Sequence, residues 1–281
     1  MARYPIRKFT DKLAYGLSFI CVVIAIIPLG SILLSVIVNG APAISLEFLT
    51  QTPGAIGQAG GGIANAIQGT LILICLTSVI GVPLGVISGI YLSEFGDNKY
   101  GRLIRFFNDV LTGFPSIVVG ILAYLLVVSA LGSFSVIAAA AALSIIMLPI
   151  ITRTTEESLR LVPNSIREAS IALGISRWRT IVNVVLSTGR SGMITGILLS
   201  IARIAGETAP LIMTILGSQW FFSGLNQPMD ALPLRIWRLA LLPYDYSHQQ
   251  GWGAALILIL IVLTLNVAVR IFTKGKYRTR R

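Results

Sequence analysis

Two ionisable residues in this 281-residue chain stand where the hydrophobic pattern leaves little room for charge. Arg203 and Glu207 sit in SIARIAGETAPLI, inside an apolar run, four residues apart and therefore on one face of a helix. A charge at that depth in a membrane costs about 2.5–3.5 kcal/mol on insertion scales, so such residues turn toward a bundle interior or a wet cavity. Two readings stay open. In one, Arg203 and Glu207 are a structural pair that neutralises itself. In the other they form a transient anion site, with the planar fork of Arg203 suited to tetrahedral oxyanions. Glu207 then holds Arg203 while the site is empty, or accepts a hydrogen bond from a protonated oxyanion. The latter role favours hydrogen phosphate over sulfate, which carries no proton near neutral pH. Thr208, Ser116 and Thr112 offer neutral donors nearby, although hydroxyls in membrane helices more often bond their own backbone.

The elements that must position these groups are long apolar helices. Apolar residues make up 55% of the chain and charged residues 12%, against about 25% charged in soluble domains. With a mean hydropathy of +0.84, this excludes an ordinary cytosolic enzyme or a disordered chain. Six apolar segments, 17–38, 69–92, 110–131, 135–152, 191–217 and 253–272, are each near the roughly 20 residues that cross a bilayer as helix. The expected fold class is an all-α membrane protein with six transmembrane helices. The opening run is too long for the apolar core of a signal peptide and reads as a retained first span.

The net charge of +11 is an orientation signal rather than a nucleic-acid footprint. Nineteen Lys and Arg fall in the amino tail, 93–109, 153–190 and the tail from Arg270. Only Arg235 and Arg238 fall in the alternate loops. Both termini, 93–109 and 153–190 are therefore expected on the cytoplasmic side. Cys21 and Cys75 lie inside apolar runs and read as small core residues. His248, the single histidine, reads as a loop residue. Most glycines of the spans read as helix packing, with Pro115, beside Ser116, and Pro210, near Glu207, as better candidates for a lined pathway.

No nucleophile–base set or metal-ligand set occurs, so no catalytic residue and no metal site is expected, and the chain does not read as an enzyme. The stretch Gly54–Gly62 is glycine-rich but has no lysine, so it cannot act as a phosphate-binding loop and reads as a flexible external loop. If ATP drives this protein, another chain binds it.

The most organised polar segment runs from Arg153 to Arg190. Ser165 and Glu168 match a capping box after Pro163. Ile166, Ala169 and Leu173 fall on one face, Gly174 suits a helix stop, and Ser176 can start the next helix. Two helices flanking a glycine bend follow, the first about two turns long. Such a unit either lies on the membrane, with Trp178 between Arg177 and Arg179 as an anchor, or docks in a partner's groove.

EASIALGISRWRTIVNVVLS resembles the EAA loop of binding-protein-dependent ABC importer permeases, with Glu168, Ala169, Gly174 and Leu186 at matching positions. It departs at Ser170, Val184 and Ser187. GIYLSEF (Gly89–Phe95), GFPSIVVGI (Gly113–Ile121) and RIAGETAP (Arg203–Pro210) resemble the permeases of phosphate-specific importers, and the opening span and short tails resemble their A-type subunit. The resemblance implies a type I ABC importer permease (MetI-like) core over 67–272, with the EAA coupling loop at 153–190. A tail, first span and external loop would occupy 1–66, and a basic cytoplasmic tail 273–281.

It also implies partners: a second homologous permease, usually making a heterodimer, two ATP-binding subunits carrying ATP and magnesium, and an extracytoplasmic phosphate-binding protein, all at a bacterial inner membrane. This chain itself would need no cofactor and bind no nucleic acid. Glu168, Ala169 and Gly174 would couple to the ATPases, and Arg203, Glu207, Thr208 and Ser116 would line the path of inorganic phosphate. The alternatives are the same machine for sulfate or molybdate, or a secondary transporter needing no ATP.

Overall fold

The computed structural model describes residues 4–55 and 60–274. Among them there are helices and two isolated bridges, Pro53 with Gly61 and Leu216 with Met229, but no strand. The helices are α1 (Tyr4–Gly40), α2 (Leu46–Thr50), α3 (Ala64–Phe95) and α4 (Lys99–Gly113). Next come α5 (Ser116–Leu131), α6 (Val136–Arg160), α7 (Asn164–Ala172), α8 (Arg177–Ala205) and α9 (Ala209–Thr214). Last are α10 (Leu232–Leu241) and α11 (Asp245–Lys274). Five helices are long and apolar enough to cross a membrane, or six spans if the bent α4–α5 pair is one of them.

The centre of the bundle is α6, with 61% of its most apolar window buried, against 6% for α1. Small residues explain how α6 acquires neighbours on both sides. On α3, a Cβ at Gly81, Gly85 or Gly89 would lie 3.0 Å from Met147 Sδ, 2.7 Å from Ile151 Cβ or 2.5 Å from Thr155 Cβ. On α8, Gly189, Gly192 and Gly196 press against Leu159, Ser158 and Thr154 of α6. Between lipid-soluble helices dispersion is the main attraction, so backbones that approach closely hold the bundle. The packing role expected for most span glycines is seen here. The main apolar cluster joins Leu73, Leu143, Met147, Ile151, Ile204 and Leu211.

Two expected spans are broken. The third was expected over 110–131, but Val110–Gly113 ends an amphipathic helix and the chain turns by 106° before Ser116. Pro115 causes this, because it drives the preceding Phe114 into extended backbone (φ −73°, ψ 133°). Helix α4 is fastened at its near end: Arg105 donates to Leu92 O and Gly96 O at 3.0 Å and pairs with Glu156 at 2.9 Å. Asn108 donates to Pro149 O at 3.2 Å. The fifth span, expected over 191–217, stops at Ala205 and resumes at Ala209. The ring of Pro210 cannot coexist with helical geometry at the carbonyl of Gly206.

Other expectations are corrected. Cys21 and Cys75 are exposed on the chain's apolar surface, not in its core; a small apolar thiol suits a lipid- or protein-covered face equally well. His248 lies in the first turns of α11, its N–H donating to Tyr244 O, and not in a loop. Of the glycine-rich stretch, residues 56–59 lie outside the described residues. Gly60 is pinned, its N–H donating to Tyr246 Oη at 2.8 Å, so the described part is anchored. Most of the basic tail expected over 273–281 also lies outside the described residues.

The bundle has two chemically distinct ends. The connections at 96–98 and 161–176 meet through Arg105, Glu94, Arg167 and Arg177 at a basic end. The connections at 41–55, 60–63, 132–135 and 215–231 meet at the opposite end, where Asn65 donates to Ser218 O and Ile137 N–H to Leu225 O.

Candidate functional site

The break between α8 and α9 positions the charged pair. Helix α8 closes with Gly206 N–H to Arg203 O and Glu207 N–H to Ile204 O, at 3.1 and 3.2 Å. Glu207 therefore lies in the unwound segment and not on the helical face expected for it. The two residues nevertheless meet, with Arg203 Nε 3.4 Å from Glu207 Oε1. Their exposures differ: 58% for the Arg203 side chain and 14% for Glu207. The neighbouring Ile204 is 2% exposed and locked in the main apolar cluster. A rigid inward residue thus fixes an outward guanidinium beside it.

Of the expected neutral donors, Thr208 is partly buried in the same break. Ser116 opens α5, one turn before Gly120, whose Cα side lies against Pro210 of α9. The structure therefore brings Ser116 and the break into one region. Among the described residues, neither hydroxyl bonds to Arg203 or Glu207. Thr112 donates to Asn108 O at 2.8 Å, the local bond expected of a membrane-helix hydroxyl.

The second group of candidates lies at the basic end. Helix α7 starts at Asn164 after Pro163 (φ −59°, ψ 142°), so Ser165 is inside the helix and the expected capping box does not form. Proline presets the extended cap conformation itself. Gly174 has φ +79°, a left-handed conformation that lets the chain reverse, and its N–H donates to Ile171 O at 2.9 Å. The expected two-turn helix and glycine bend are both present. Helix α8 then runs without a stop into the fifth span.

The face expected to hold Ile166, Ala169 and Leu173 is divided. Ile166 packs on the Leu159, Val162, Val185 and Met193 cluster, while Ala169 is exposed and Leu173 is 81% exposed. Ser170 rather than Ala169 is the buried partner of Ile166, and its hydroxyl lies 2.9 Å from that of Thr180, closing the bend. Glu168 is exposed. Leu161, Ile171, Leu173 and Trp178 leave an apolar outer surface beside it.

Some residues of this end were not singled out from sequence. Glu94, 7% exposed, accepts from Arg167 at 2.8 Å. Arg177 donates to Glu94 O at 2.9 Å and stacks over Phe95 at 4.7 Å. A carboxylate in the last turn of a helix opposes the helix dipole; that misfit was the available signal for a tertiary partner. At the opposite end Asp230, fully buried, pairs with Arg235, 9% exposed. Burial pushes the Asp230 carboxyl above the usual carboxylate range, against the pull of Arg235.

This geometry can be set beside known proteins. Residues 81–275 match the family described as binding-protein-dependent transport system inner membrane component. The chain belongs to that family. The family is a transport permease component and not an enzyme family, and with its apolar helices it makes this chain a multi-pass membrane protein. A relative in Haemophilus influenzae, the phosphate transport system permease protein PstA, is 40% identical over 275 residues, covering 98% of this chain and 97% of its own. Among solved structures, a chain of a bacterial alginate ABC transporter in complex with an alginate pentasaccharide-bound periplasmic protein aligns with TM-score 0.68 and 14% identity, covering 99% and 100% of the two chains. A chain of the inward-facing MetNI methionine ABC transporter aligns with TM-score 0.60 and 18% identity, covering 77% and 95%. The permease-family fold is thus the expected MetI-like one.

Proposed function

We propose that this chain is one membrane half of an ATP-driven importer of inorganic phosphate. The basic end faces the cytoplasm and the opposite end faces outward, following the excess of Lys and Arg. ATP and magnesium are bound by partner subunits, a second permease completes the pathway, and an external phosphate-binding protein delivers the anion. The substrate follows from relatives named as phosphate permeases.

The observation that carries the reading is the 58% exposure of Arg203 on a spanning helix. A guanidinium there is too expensive to leave in lipid, so the surface around it faces a partner or water. A passage between two permeases supplies both. Glu207 shields Arg203 between passages and accepts a hydrogen bond from hydrogen phosphate during one. Thr208 and Ser116 add neutral donors, and a single arginine binds weakly enough to release its guest. Glu168, Ala169 and Gly174 form the part of the loop that the ATPase grips, with Leu173 and Ile171 as apolar contacts.

The test is uptake by the complex, purified with its partner chains and reconstituted in proteoliposomes. Arg203→Ala is expected to abolish ATP-driven phosphate uptake while the chains still co-purify. Glu207→Gln is expected to narrow the preference for phosphate over sulfate. Loss of assembly in Arg203→Ala, or unchanged selectivity in Glu207→Gln, would overturn these roles.

A further inference from the structure

Arg235 and Arg238, the only basic residues assigned to the outer loops, both line one cavity of about 360 Å³ at the end of the bundle opposite the 161–176 connection. They are three apart on α10 and so share a face. Arg235 is 9% exposed, and its Nη2 is held by Asp230 and reaches Ser218 O at 3.3 Å. Its Nε is buried with no acceptor. Arg238 is half-buried with its guanidinium laid against Gly217 and within electrostatic reach of the Asp230 carboxyl. Gln219, Ser247, Gln250 and Tyr246 add polar lining, and no carboxylate is among the described lining residues. One wall is fixed, because Tyr246 Oη donates to Gly60 O at 3.0 Å and accepts from Gln250 at 2.7 Å.

Two arginine side chains that share one carboxylate and line a roomy polar cavity leave one positive charge in excess, which suits an anion with several acceptors. Asp230 acts on both arginines and offsets one of the two charges, which keeps binding weak enough for release. We propose that this cavity is a second oxyanion site, which receives inorganic phosphate at the outer end before it meets Arg203. The proposal rests on the phosphate-import reading above.

The test uses the complex with its partner chains in nanodiscs of zwitterionic lipid, alone and with increasing anionic lipid. The permease carries Gln219→Cys in a Cys21→Ser, Cys75→Ser background, and its alkylation by a neutral maleimide is timed. Inorganic phosphate at about ten times its dissociation constant is expected to slow alkylation about tenfold relative to chloride at equal ionic strength, because occupancy sets the protected fraction. Arg238→Gln is expected to remove that protection and Arg203→Ala to leave it.

No slowing by phosphate, or equal slowing in Arg238→Gln, overturns the site. Slow alkylation that follows anionic lipid content and ignores free phosphate overturns it too, by giving the cavity to a headgroup. Uptake assayed in parallel separates the two claims. Uptake without protection removes this site alone, and protection without uptake supports the site while removing the import reading.

Discussion

The Arg167 guanidinium holds the Glu94 carboxylate at 2.8 Å, tying the glycine-bend loop to the last turn of α3. The same guanidinium donates to Leu159 O at 2.9 Å and to Val162 O, so one side chain also caps the end of α6. With Arg177 bonded to Glu94 O, the loop cannot shift without pulling on two spans. Those spans are the pair packed glycine to side chain along their length.

Reversing that pair tests this. Glu94→Arg or Arg167→Glu alone leaves a mostly buried charge unpaired, a loss of about 3 kcal/mol. Each is expected to lower the Tm of the complex and to uncouple ATP hydrolysis from uptake. The double swap restores the ion pair but not the bonds to Leu159 O and Val162 O, since a carboxylate cannot donate, so it is expected to recover only part of both. Recovery of Tm without recovery of coupling would show the pair to be structural only.

Gly174 sits at φ +79° with nothing within 4 Å of its Cβ position, so its conformation and not its size is what the bend requires. Gly174→Ala is expected to cost about 1 kcal/mol and to retain most uptake. Gly174→Pro, which forbids that φ, is expected to abolish ATP-driven uptake while the chain still inserts. Uptake assays with membrane-fraction blots distinguish the two.

Close approach of α3 to α6 predicts a steep size dependence. Gly85→Val places a branched side chain where Ile151 Cβ already lies 2.7 Å from the added Cβ. A loss of at least about 1–3 kcal/mol is expected for such overpacking. Gly113→Ala meets nothing within 4 Å and is expected to be neutral. Thermal unfolding of the purified complex measures both.

The buried Asp230–Arg235 pair makes a pH prediction. Burial raises the folded-state value of Asp230 above its unfolded value, the Arg235 charge opposing. The stability linked to this proton is fully present below the unfolded value and is lost as pH rises through the folded one. The Tm of the wild type relative to Asp230→Asn is therefore expected to fall as pH rises across that window. Asp230→Ala, which strands Arg235, is expected to cost about 3–5 kcal/mol at neutral pH.

Run length and the placement of basic residues determined the helical membrane class, the approximate spans and the glycine bend. Those properties depend on composition within a segment and on local φ preferences, which Gly174 and Pro163 state directly. The sequence also picked out Arg203 and Glu207, because a charge in an apolar run is locally anomalous. Pro210 forbids a continuous helix at Gly206, but tertiary structure alone decided that Arg203 faces outward while Ile204 locks inward, and that Ser170 rather than Ala169 turns toward the bundle. Only folding could bring Glu94 to Arg167 and place Arg235 and Arg238 around one cavity. Each of these depends on which face of a helix a neighbour covers, and a periodic pattern that is apolar nearly all round carries little record of that choice.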